Sequence, residues 1–165
     1  MEWFVKAFLK ASLAWLVLGV SLGVAMAAHP VWTMHRTAHM HMVLLGFVTM
    51  MIYGVAYHVI PRFVGFPLHS RRAAGWHWSA SNVGLACMVA GFILRSYGWR
   101  YAPPLLTFGG SLSALGAYTF AYLLWRTIDG PAPLRAAAKR ARLVASDAAS
   151  ASRLPLANRA LSEQP

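Results

Sequence analysis

The chain has 165 residues, 58% of them hydrophobic, with a mean hydropathy of +0.50, which excludes an ordinary soluble domain of this size. Its formal charge is +11, yet the basic residues flank apolar blocks instead of forming a stripe along a surface, so nucleic acid is not an expected partner. The single cysteine, Cys87, cannot form an intrachain disulfide.

Four apolar blocks follow one another, at residues 11–28, 38–60, 76–94 and 104–125. Each approaches the ~20 residues that a helix needs to cross ~30 Å of hydrocarbon. In lipid an open chain satisfies its backbone only as a helix. The expected fold is therefore an all-α integral membrane protein with four transmembrane helices.

The first block follows Lys6 and Lys10 and ends in "AMAA" at residues 25–28, which imitates a secretory signal. Its apolar run is long for a signal, and a retained helix keeps the charge pattern of the whole chain intact. Gly19, Gly23 and Ala27 recur at four-residue spacing, a stripe that lets helices approach closely. Pro30 and Trp32 follow in a short loop that also holds His29 and His35. The second block opens on His39 and His41. A short basic loop, residues 61–75, leads to the third block, and the fourth carries a second small-residue stripe, Gly109, Ser113 and Ala117.

Twelve basic residues (Lys6, Lys10, Arg62, Arg71, Arg72, Arg126, Arg135, Lys139, Arg140, Arg142, Arg153 and Arg159) fall on one side of such a bundle. Three, Arg36, Arg95 and Arg100, fall on the other. The positive-inside bias predicts both termini in the cytoplasm and His39 and His41 near the outer end of the second span. Residues 1–130 are expected to form the transmembrane domain and 131–165 a basic cytoplasmic tail. The tail's Ala and Arg content permits a helix over about 134–149 lying on the anionic inner leaflet; a disordered tail whose charges merely fix topology is the other reading.

Seven histidines occur. His29 and His35 fall in the outer loop, His69 in the inner loop, and His58 and His77 near the inner membrane face, where polar groups are readily tolerated. His39 and His41 enter an apolar run, where ionisable groups are costly and usually functional. On a helix, positions i and i+2 diverge by about 200°. Two such imidazoles cannot readily share one metal, but they can serve two sites on opposite sides of one helix. Neutral imidazole binds iron, copper and zinc, and a porphyrin takes one axial nitrogen from each side. From His39, helical spacing continues through Val43, Gly46, Met50 and Gly54. The glycines either leave room for a planar cofactor or allow close helix packing. Arg36, one turn before His39, either pairs with a propionate or anchors the helix end by snorkelling.

The stretch "AHMHMVLLGFVTMMIYGVAYHVIPRFVGFPL" resembles one histidine-bearing helix of the catalytic subunit of the heme-copper oxidase and nitric oxide reductase family, its cbb-type oxidase version above all. In that family such a helix starts with His-x-His, runs through apolar and glycine positions, and closes with an aromatic residue or His, then Pro, Arg and Gly. Here these are Tyr57, His58, Pro61, Arg62 and Gly65. The resemblance implies that His39 ligates a high-spin heme and His41 a low-spin heme. Arg36 to His39 also resembles the Arg-x-x-His start of the family's second helix. The likeness covers about thirty residues; the other helices match only in length and order. This chain would correspond to a single four-helix arc of the family's three. It has no His-His pair for a copper site and no Asp or Glu within a span, so by itself it does not make up a complete oxidase.

These features imply a membrane protein of the bacterial inner membrane, binding heme b between copies of a homo-oligomer. A trimer is the first expectation and a dimer the second. Its role would be electron transfer, with an electron-donor protein as partner, or sensing of nitric oxide or oxygen. A reduced oxidase or nitric oxide reductase, with a nonheme metal on His29 or His35, is the alternative. A copper-handling or assembly protein using Met34, Met40, Met42 and the histidines is a further one.

Overall fold

The computed structural model of the chain describes the backbone of residues 1–162 and the side chains of residues 1–150 other than Arg135. It is helical throughout, with no strand among the described residues. Two units divide after Ile128.

The first unit is a bundle of four antiparallel helical rods. Helix α1 spans Trp3–Ala28, beginning well before the expected residue 11. Phe4, Val5 and Phe8 are completely or almost completely buried, while Lys6 and Lys10 are exposed, so the charged stretch still has an apolar face to pack.

The second rod, α2, spans Pro30–Val64 and is not uniform. A 3-10 turn over Pro30–His35 leads into α-helix at Arg36–His41. A π-helical stretch occupies Met42–Thr49, and α-helix resumes over Met50–Val64. The π stretch begins immediately after His41, and such segments are rare and concentrated at functional positions. Pro61 lies inside the last turns, and the rod stops at Gly65, whose φ of 73° is the left-handed geometry suited to glycine. The expected loop at 61–75 is thereby shortened at its front.

Helix α3 spans Arg71–Ser96, its first turn capped by the Ser70 hydroxyl, which accepts from the Ala73 N–H at 3.3 Å. Helix α4 spans Ala102–Ile128. These two cross at a glycine contact. A Cβ at Gly84 would stand 2.8 Å from the Gly109 carbonyl oxygen, and one at Gly109 would stand 2.6 Å from that of Gly84. The small-residue stripe of the fourth block is therefore a packing face. It continues through Gly116, one residue from the expected Ala117.

Three rods, α1, α2 and α3, are long and apolar enough to cross a membrane. Helix α4 has 27 residues but is not among them, because Gly, Ser, Thr and Tyr dilute its centre. The outward surface is apolar in the way a membrane demands: Val17, Val24, Ile52, Val55, Phe108 and Leu115 are all exposed. Exposed Trp32, Tyr97, Trp99 and Tyr101 mark one end of the bundle, and Trp3, Trp76 and Trp125 the other, as aromatic belts do at the two interfaces.

The second unit consists of helix α5, Ala132–Ser162. The tail is helical over a longer stretch than 134–149. Alanine and arginine favour helix intrinsically. Leu134, Leu143 and Val144 are exposed on it.

Candidate functional site

His39 and His41 lie in the short α-helical segment that precedes the π stretch of α2. Each is half-buried, and they occupy different grooves. The His39 ring lies against α1: its Nδ1 is 2.9 Å from the Gly19 carbonyl oxygen, and a Cβ at Gly23 would stand 3.0 Å from its Cε1. The His41 ring lies on Phe92 of α3, with centroids 4.7 Å apart, and its Nδ1 is 2.8 Å from the Thr37 carbonyl oxygen.

A carbonyl oxygen only accepts, so in each neutral ring Nδ1 donates and Nε2 keeps its lone pair. The tautomer follows from these partners. Neither Nε2 has a hydrogen-bond partner among the described residues. Metal-ligating histidines commonly have this arrangement, one nitrogen held by an oxygen and the other presented.

The surroundings of the pair differ from one side to the other. Beside His41, Met34, Thr37, Phe92, Arg95 and Ser96 line a cleft of about 290 Å³. Arg36 and Arg95 are both exposed cations at this end. Arg95, which sequence reasoning left among the outer charges, lies on that cleft. On the His39 side the glycine stripe is already occupied. Val43 packs on Gly19, Trp15 fills the space beside Gly46, with a Cβ there meeting it at 2.6 Å, and Leu9 and Phe8 fill the space beside Gly54. Gly46 thus serves the approach of α1 to α2, and the packing reading of the stripe is the one the geometry carries.

The remaining histidines separate. His29 is exposed. His35, expected in a loop, is buried; its Nε2 is 3.4 Å from the Tyr97 hydroxyl and its Nδ1 has no partner. At the other end Arg62 donates to Nδ1 of His58 at 2.8 Å, and the backbone N–H of His69 donates to the Thr127 hydroxyl at 3.1 Å. Met34 and Met40 are exposed while Met42 belongs to the core. Among the described residues no three His, Cys, Asp or Glu side chains are grouped to hold a metal ion.

His77, expected near the inner membrane face, has a fully buried side chain; α3 starts at Arg71, five residues before the expected span, so His77 lies more than a turn into the helix. Its Nδ1 is 2.8 Å from the Tyr57 hydroxyl. Phe8, Tyr53 and Phe120 surround it, with centroids 4.9, 4.6 and 5.7 Å from its own. A helix register counted from Arg71 would have signalled this position.

No protein-family model matches the chain, and no curated protein matches it.

Proposed function

We propose that the chain is a four-span protein of the bacterial inner membrane, with both termini cytoplasmic, that binds heme b through His39 and His41. The observation that carries this reading is the shared state of the two imidazoles. Each Nδ1 is tied to a backbone carbonyl, neither Nε2 has a hydrogen-bond partner among the described residues, and the two rings lie in separate grooves of one helix. One chain would supply one nitrogen per groove to such a group. A bis-histidine site then requires a second copy, and a homo-oligomer provides it. The absence of a three-ligand cluster among the described residues is compatible with this, since a heme would ask one protein nitrogen of each face. Arg36 and Arg95 suit the acidic edge of such a cofactor.

When bound, heme supplies one-electron chemistry or a gas-binding iron. The chain's own residues hold the two nitrogens in their tautomers, shield the site with Phe92 and α1, and place cations at the water boundary. The proposed role is electron transfer with a donor protein, or sensing of nitric oxide or oxygen.

The test is purification of the full chain in mild detergent, followed by a pyridine hemochrome assay and a visible spectrum. A Soret band with b-type hemochrome is expected, largely lost in both His39→Ala and His41→Ala and kept in His69→Ala. Full heme content in both single variants would reject the assignment.

One observation favours a second reading, a reduced oxidase or nitric oxide reductase with a nonheme metal: His35 is buried at the same end with Nδ1 free of partners. Carbon monoxide binding to the reduced protein separates the two, because a tightly six-coordinate heme resists it.

A further inference from the structure

The interior of the bundle holds a second polar site, far from His39 and His41. His77 is fully buried and its Nε2 has no partner. Buried polar atoms in native proteins are nearly always satisfied, so such an atom needs a physical account. At membrane depth the cost of leaving it unmade is larger still.

Its surroundings supply the account. On one side the ring meets Tyr57 through the 2.8 Å hydrogen bond. Tyr57 is only 3% exposed, yet it also lines a cleft of about 420 Å³ with Phe4, His58, Arg62, Phe66 and Arg71. That cleft lies at the end of the bundle that carries Arg62 and Arg71. Further inward, Ser81 stands one turn beyond His77 on α3. Ser81 and Tyr53 line a cavity of about 20 Å³ together with Thr49 and Ser113, and a volume of roughly 10–15 Å³ already holds a water when polar partners surround it. A Cβ at Gly116 would be 2.9 Å from the Ser81 hydroxyl and 3.3 Å from Cδ2 of His77, so this side of the ring and the serine converge on one glycine.

We propose that His77 is an internal proton-exchange site, reached from the Arg62 end of the bundle through Tyr57 and continued by water toward Ser81 and Tyr53. The residues against its ring are Phe8 from α1, Tyr53 and Tyr57 from α2, and Phe120 from α4. Tyr53 and Tyr57 are the titratable groups among them. No carboxylate occurs between Glu2 and Asp129, so no acidic partner stands in for water. Outward of Ser81, α3 buries Gly84, Leu85 and Val89. The path therefore ends near mid-depth, which makes it a site of uptake and return rather than a transmembrane channel. This inference does not rest on the heme reading.

Solid-state NMR of the full chain, uniformly labelled with 15N and reconstituted in lipid bilayers, tests it. His77→Gln assigns the resonance. The ring N–H of His77, on whichever nitrogen holds it, is expected to exchange with D2O while the backbone amides of the surrounding α3 turns stay protonated. Tyr57→Phe keeps the ring packing and removes the relay; exchange should slow by about tenfold or more, the equivalent of one lost hydrogen bond. A wild-type His77 N–H as protected as those backbone amides would overturn the proposal, and this measurement decides alone if Tyr57→Phe does not fold. Equal exchange in the wild type and a folded Tyr57→Phe would overturn the route through Tyr57.

Discussion

His39 and Gly23 fit one another across the α1–α2 groove: a Cβ at Gly23 would stand 3.0 Å from Cε1 of the imidazole, tighter than an ordinary contact. Gly23 therefore sets where the ring can lie, and the Gly19 carbonyl sets which nitrogen it presents. In the proposed heme site, Gly23→Leu should push the imidazole off that carbonyl and weaken heme binding by about tenfold, the usual scale for losing a partner that orients a ligand. The control is Gly110→Leu, at a position where an added Cβ meets nothing within 4 Å. Heme titration of the two purified variants checks this, and equal affinity would detach Gly23 from the site.

The α3–α4 crossing makes a separate prediction about stability. At Gly109 a Cβ would meet a backbone carbonyl at 2.6 Å and the Met88 backbone nitrogen at 2.8 Å. Backbone cannot rotate away as a side chain can, so the helices must separate. Gly109→Ala is expected to destabilise the bundle by about 1–3 kcal/mol, the usual cost of overpacking. Reversible unfolding in mixed detergent micelles reads the change, with Gly110→Ala expected to be near neutral.

Topology is predicted from the division of twelve basic residues against three. Reporter fusions after Leu68 and after Arg126 should both be cytoplasmic. A fusion after Tyr97, on the segment joining α3 and α4, should be periplasmic. Helix α4 is the rod outside the three long and apolar enough to cross a membrane, so the fusion after Arg126 is the demanding one; a periplasmic reporter there would leave the bundle with three spans.

Much of the bundle was legible in sequence because apolar length and small-residue spacing act locally. The stripe His39, Val43, Gly46 and Gly54 does share a face, since α1 packs along all of it. What fills that face was not legible. A glycine announces close approach without naming the neighbour, and here Trp15, Leu9 and Phe8 come from another helix. Helix starts were read late at both Trp3 and Arg71, because charged residues on the exposed side of a first turn look like loop when only hydropathy is weighed. An expected start of α3 at residue 76 in place of Arg71 concealed the burial of His77. The π stretch over Met42–Thr49 is invisible in composition: its apolar residues suit an α-helix equally well. Divergence of His39 and His41 into two grooves, by contrast, follows from their spacing alone.

That divergence leads to the riskiest prediction, which concerns assembly. His39 faces α1 and His41 faces α3 of the same chain, so neither reaches the other. His58 is no substitute, since nineteen residues of helix separate it from His39, about 28 Å at 1.5 Å per residue. In the proposed site, a bis-histidine heme would join His39 of one copy to His41 of the next, as a closed ring arranges. His39→Ala chains keep His41, and His41→Ala chains keep His39. Co-expressed in equal amounts, they form an intact pair wherever one kind follows the other. The chance is one half times one half, so heme should recover to about a quarter of the wild-type content in a randomly mixed ring. Size and heme stoichiometry are measured on the same preparation. Heme no higher than in either single variant, or a wild-type monomer carrying a full complement of six-coordinate heme, would end the shared-site idea.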